Sequence, residues 1–339
     1  MNNNTITITI IILISIFTYQ IIPYPSNQHQ SLYKTIMSSI TNTKLKRKVG
    51  IVGYGSLGKF LANAIMTDAR AKEELELVFV WNRTPEKVLE DVKSGKLPEN
   101  VFLKDLENFK ERKAELIVEV AHAVITESMG PKFLETANYM VGSPTCFASQ
   151  SLEKNIRDQL KVNKDNNLPY GVFIPAGALW GANDIQKLAD RGTLKGLSVT
   201  MKFSADALRL KGALKDTLDE IVAKGNQTEE ILLYEGPIRN LAPMAPNNVN
   251  TIACAALAGH NLGFDQTNAR LYAAAPDLGA HVVIVNVEGP GGFKVDTTRF
   301  NPAKKGAVTG NATYNSFLSS MLAASRKTGM GNSGTMSFL

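Results

Sequence analysis

A chain of 339 residues, 44% hydrophobic and 20% charged, has an ordinary globular composition and is long enough for two domains. Its net charge of +6 and pI near 9.1 come from Lys and Arg scattered along the chain rather than striped on one helix, which argues against a nucleic-acid partner and suits small anionic molecules. Two cysteines, Cys146 and Cys254, sit in P-T-C-F-A and I-A-C-A-A without a C-x-x-C pair or a His cluster, which argues against zinc and against a disulfide framework and leaves small core residues in a reducing compartment.

Residues 1 to 45 do not read as part of the fold that follows. Ile6 to Ile22 is dominated by isoleucine and threonine and resembles a signal-peptide core or a short membrane anchor. Lys34, Lys44, Lys46, Arg47 and Lys48 lie on its C-terminal side, so the positive-inside rule keeps the remainder cytoplasmic, tethered through residues 6–22 if the stretch is an anchor. The alternative is a compact protein starting at Met37.

The chain is organised around K-V-G-I-V-G-Y-G-S-L-G, residues 48 to 58. Val49 to Val52 reads as a buried strand, and Gly53, Gly55 and Gly58 follow at the G-x-G-x-x-G spacing, opening an amphipathic helix from about Ser56 to Met66. In that pattern the first glycine makes the tight turn, the second lets backbone approach a pyrophosphate, and the third lets the helix pack on the sheet. The N–H groups at Ser56 and Leu57, at the start of the helix, then point at the phosphates.

Strands and helices alternate onward: Leu77–Trp81, helix 84–92, Leu116–Val120, helix 127–137, Tyr139–Val141, helix 150–160 and Gly171–Ile174. Such alternation predicts a Rossmann-type, doubly wound parallel sheet with the cofactor at the carboxyl ends of its strands. Where an enzyme selective for NAD has Asp or Glu after the second strand, this chain has Asn82 and Arg83; loss of the carboxylate and a guanidinium in its place favour NADP, or use of both cofactors. Glu119 and His122, in E-V-A-H, close the third core strand, and His122 is a secondary candidate for contact with substrate or ribose.

The second half changes character. Leu194–Phe203, Ile231–Tyr234, Arg270–Ala273, His281–Glu288 and Phe293–Thr298 are strand-like, with G-P-G-G at 289–292 marking a hairpin turn. A mostly antiparallel sheet with covering helices is expected, making a second α/β domain. Helices are predicted at Asn248–Gly259 and Ala312–Ser325. The organisation is therefore a leader over 1–45, a dinucleotide-binding domain over 46–177, a substrate and dimerisation domain over 178–304, a helix over 305–330 returning to the first domain, and a flexible tail over 331–339.

On these landmarks the sequence resembles the L-aspartate dehydrogenase family, most closely its animal members, the aspartate dehydrogenase domain-containing proteins. They are V-G-Y-G-S-L-G, L-V-F-V-W-N-R, V-E-V-A-H, G-A-L-W-G-A-N-D-I (177–185), L-Y-E-G-P (233–237), A-P-N-N-V-N-T-I-A (245–253), H-V-V-I-V-N-V-E-G-P (281–290) and N-P-A-K-K-G-A-V-T-G (301–310), and together they span about residues 48 to 325. The resemblance implies a homodimer and NAD(P)-dependent oxidative deamination of L-aspartate, through iminoaspartate, to oxaloacetate and ammonia. It further implies cofactor contacts at Ala178 and Asn250 and an active-site histidine at His281. A histidine relays protons near neutral pH, which this chemistry requires. The two carboxylates of aspartate need cationic or N–H partners, and Lys202, Arg209, Arg239 and Lys294 are the candidate cations. Two alternatives stay open: the same fold acting on another amino or hydroxy acid, and a dinucleotide-binding protein without catalysis.

Overall fold

The computed structural model describes residues 46–177, 179–224, 229–275, 277–327 and 333–339. The possible anchor at 6–22 and the cofactor contact assigned to Ala178 fall outside these residues. No helix among the described residues is long and apolar enough to cross a membrane.

The first sheet has six strands, all parallel, in the order β11-β5-β4-β3-β1-β2. These are β1 (Arg47–Val52), β2 (Leu75–Trp81), β3 (Leu116–Glu119), β4 (Asn138–Val141), β5 (Val172–Ile174) and β11 (Met336–Phe338). Every residue of β3, β4 and β5 is buried, as expected for strands covered on both faces. Helices α1 (Ser56–Thr67), α2 (Glu86–Lys93), α3 (Ala123–Leu134) and α4 (Gln150–Asp165) connect them. Helix α3 begins four residues before its predicted start, because His122 caps it: the Val124 N–H donates to His122 Nδ1 at 3.3 Å.

The second sheet follows α5 (Ala182–Asp190) and has the order β10-β9-β6-β8-β7. Its strands are β6 (Gly196–Ser204), β7 (Ile231–Pro237), β8 (Asn268–Ala274), β9 (Ala280–Glu288) and β10 (Lys294–Pro302), with α6 (Ala213–Lys224) and α7 (Asn250–Ala258) between them. The pairing of β6 with β8 is parallel and the other three are antiparallel, with β9 and β10 joined by the predicted hairpin. Strand β9 alternates along its length: Val283, Val285 and Val287 pack into the same apolar cluster as the alanine-rich α7, while Val282, Ile284 and Asn286 stay half-buried.

Helix α8 (Asn311–Arg326) lies on the first sheet. Phe317, Met321, Leu322 and Ala324 join one apolar cluster with Val49, Ile51 and Val118, and Tyr314 packs edge-on against Phe60 of α1 at 5.4 Å. Arg47 closes its far end, donating from Nη1 to Ala324 O at 2.6 Å and to Lys327 O at 2.9 Å.

The tail departs from expectation. Residues 336–338 are not a loose end but the edge strand β11, bonded to β5 through Val172 N–H to Thr335 O and Leu339 N–H to Ile174 O. Three residues are too few to show strand periodicity in sequence, yet they satisfy the open edge of β5 and bury Phe338.

Candidate active site and cofactor cleft

The glycine-rich turn leaves β1 at Gly53, whose φ of +111° suits glycine and whose N–H bonds Trp81 O at 2.8 Å. A Cβ on Gly58 would lie 2.0 Å from Gly53 O, so the third glycine is what allows α1 to fold back against the turn. A Cβ on Gly55 would meet nothing within 4 Å. That open space lies over the start of α1, where Ser56 and Leu57 begin a helix with no side-chain cap. A free helix N-terminus under an open glycine fits a pyrophosphate.

Asn82 is built into this turn: its Oδ1 accepts the Tyr54 N–H at 2.9 Å and its Nδ2 donates to Thr84 O at 2.9 Å. The side chain thus joins β2 to the turn, and both ends of its amide are engaged. Arg83 is exposed, with no hydrogen bond or ion pair among the described residues, in a depression it shares with Lys104 and Ser128.

Two neighbouring loops are held by Glu119, at the carboxyl end of β3 and wholly buried. Its carboxylate accepts from Ala121 N–H at 2.7 Å, Ser143 N–H at 2.9 Å and Ser143 Oγ at 3.1 Å. Burial pushes its pKa up against the pull of these donors. The sequence singles out this glutamate only as part of E-V-A-H; the fold makes it the tie between the ends of β3 and β4.

A cleft opens where the first sheet ends and the second begins. Leu57 lines it from the start of α1 and Gly142 from just past β4, Met201, Phe203, His281 and Asn301 from the second sheet, Asn250 and Thr251 from α7, and Thr313 from α8. Gly177, on the loop after β5, lines it as well. Of the glycine-rich stretch, Leu57 lines this cleft together with Asn250 and His281. Asn82 and Arg83 border a different depression, and His122 borders neither.

His281 is 6% exposed and packs its ring on Phe203 with centroids 4.6 Å apart. Its Nε2 lies 2.8 Å from Ala307 O. A carbonyl oxygen only accepts, so Nε2 carries the proton and the neutral ring keeps its lone pair on Nδ1. Burial lowers the pKa from its ordinary value, with the Ala307 bond acting the other way. Asn250 has its Oδ1 held by Thr145 Oγ1 at 3.2 Å, which leaves the NH2 as its free donor.

The candidate cations are engaged elsewhere. Lys202 pairs with Glu230 and Lys294 with Glu288; Arg239 forks onto Asp265 and donates to Ala148 O; Arg209 donates to Asp206 O, Leu208 O and Gly306 O. None of the four lines the cleft. Both cysteines are buried thiols, and burial pushes Cys254 up to about 12. Among the described residues no group of three or more His, Cys, Asp or Glu side chains is placed to hold a metal ion.

A family model described as the C-terminal part of aspartate dehydrogenase matches residues 184–320, and one described as the NAD-binding domain of homoserine dehydrogenase matches residues 53–166. An aspartate dehydrogenase domain-containing protein of Danio rerio is 43% identical over 275 residues, covering 81% of this chain and 94% of that protein. Its counterpart in Xenopus tropicalis is 42% identical over 288 residues, covering 82% and 94%. The L-aspartate dehydrogenase of Methanosarcina barkeri is 28% identical over 249 residues, covering 71% and 83%. Among solved structures, aspartate dehydrogenase from Thermotoga maritima superposes with a TM-score of 0.57 at 17% identity, covering 83% of this chain and 95% of that one, a likeness of fold.

Proposed function

We propose that this chain, which belongs to the aspartate dehydrogenase family, catalyses the NAD(P)-dependent oxidative deamination of L-aspartate to oxaloacetate and ammonia, through iminoaspartate, or the reverse. The observation that carries the reading is that Leu57, at the start of the helix the glycine-rich turn opens, shares one cleft with His281 and Asn250. The residues present fit a dinucleotide: the uncapped start of α1 beside Gly55 would hold its pyrophosphate, Arg83 its adenosine phosphate, and Asn250 and the loop at Gly177 its nicotinamide half. When bound, its nicotinamide supplies the hydride acceptor.

The chain's own groups do the rest. Oxidation at the α-carbon needs a neutral amine, held with its C–H about 3 to 3.5 Å from the acceptor. His281, neutral and with Nδ1 free, takes the proton from the ammonium group and releases it to solvent, then takes a proton from the water that attacks the iminium carbon and returns it to the nitrogen that departs as ammonia. The apolar wall formed by Phe203, Met201 and Phe317 limits the water admitted to the cleft. His281→Ala tests this directly: turnover of L-aspartate should fall by about 100-fold or more, the scale of a lost general base, while cofactor affinity is retained. Unchanged turnover would remove His281 from the mechanism.

We also infer a preference for NADP. The Asn82 amide brings no negative charge to the end of β2, and the Arg83 guanidinium is exposed without a protein acceptor, as a 2′-phosphate partner should be. Arg83→Ala should weaken NADP binding about tenfold or more and change NAD binding little; equal effects on both would refute the preference. His122, which caps α3, keeps a secondary claim on substrate or ribose. The same family reading gives a homodimer.

A further inference from the structure

A dicarboxylic substrate brings two negative charges into this cleft, and buried charge requires partners. Among the described residues no Lys or Arg side chain lines it. The groups that do line it are neutral donors, and one set of them is unemployed. Helix α7, nine residues long, starts in the cleft with no side-chain cap. Its first backbone bond runs from Ala253 N–H to Val249 O, so the N–H groups of Asn250, Thr251 and Ile252 have no helical acceptor. Thr251 is 7% exposed, lines the cleft, and its hydroxyl has no hydrogen-bond partner among the described residues. Its Oγ1 is not among the fully buried unpartnered atoms, so the hydroxyl stays reachable from the cleft as a donor that a ligand there would complete.

We propose that Thr251 Oγ and the uncapped start of α7 form the receptor for a carboxylate of the substrate, so that this enzyme recognises its acid through neutral donors instead of a lysine or arginine. The inference rests on the reading of the substrate as a dicarboxylic amino acid. Two features agree with it. The helix N-terminus carries the partial positive charge that a carboxylate seeks. Asn250, with its Oδ1 fixed by Thr145, is left to serve the cofactor from the neighbouring position.

The test is calorimetric titration of succinate into the full-length protein saturated with NADP, beside the KM for L-aspartate, for the wild type, the near-isosteric Thr251→Val and the hydroxyl-retaining Thr251→Ser. Losing a hydroxyl donor to a charged acceptor should weaken succinate binding and raise KM by about 10- to 100-fold in Thr251→Val. The affinity for NADP alone should be unchanged, and Thr251→Ser should lie near the wild type. Succinate binding that depends on Thr251 in a protein that does not turn over aspartate would uphold this receptor and refute the proposed reaction. Turnover of aspartate with equal succinate affinity in wild type and Thr251→Val would overturn the receptor and leave the reaction standing. Failure of the wild type to bind succinate, equal weakening of NADP, or no recovery in Thr251→Ser would each overturn it.

Discussion

The proton on His281 Nε2 is committed to the Ala307 carbonyl, and that one bond decides what the residue can do. With Nε2 held as a donor, the neutral ring presents a base at Nδ1, and burial keeps it neutral to lower pH than a free imidazole. The acidic limb of kcat/KM for aspartate oxidation should therefore fall below the ordinary value of 6.5; a limb above it would contradict the assignment. Stability follows with the same sign. The unfolded chain takes up the proton first as pH falls, so the contribution of His281 is full above pH 6.5 and is lost as pH drops from there through the lowered folded value. Chemical denaturation of wild type and His281→Gln between pH 7.5 and about 5 reads that difference.

In the turn from β1 to α1 the three glycines separate fold from function. Gly58→Ala places a methyl group against the Gly53 carbonyl and should destabilise the protein by about 1 to 3 kcal/mol, the usual cost of overpacking, read by denaturant titration. Gly55→Ala meets open space, so the melting temperature should hold while cofactor binding is lost; cofactor binding at wild-type strength would place the pyrophosphate elsewhere. These glycines and the strand–helix alternation were legible because spacing and period are properties of consecutive residues. The mostly antiparallel second sheet was legible for the same reason, in the alternation along β9. What adjacent sequence does not carry is long-range partnership. Edge strand β11 is defined by the open side of β5, more than 160 residues earlier. Glu119 owes its role to Ser143, and Thr251 looks like any second residue of a helix until the cleft around it is seen. The four candidate cations were sound by type but were already taken by partners that sequence spacing did not reveal.

Considered whole, the molecule sets a cofactor-type sheet against a second sheet whose one face is packed by α7 and whose other face keeps Val282 and Ile284 half-buried and Phe300 60% exposed. Apolar side chains in a row on an uncovered sheet face suit the proposed homodimer. Sedimentation at micromolar concentration should return twice the 36.9 kDa chain mass, and a stable monomer would remove the dimer. The measurement that bears most directly on function is oxidation of NADPH by the full-length protein with oxaloacetate and ammonium, run beside NADH and beside other 2-oxo acids. Fast turnover selective for oxaloacetate, faster with NADPH than with NADH, is the predicted result. No turnover of any 2-oxo acid, with NADPH still bound tightly by calorimetry, would contradict it and leave a dinucleotide-binding protein without this activity.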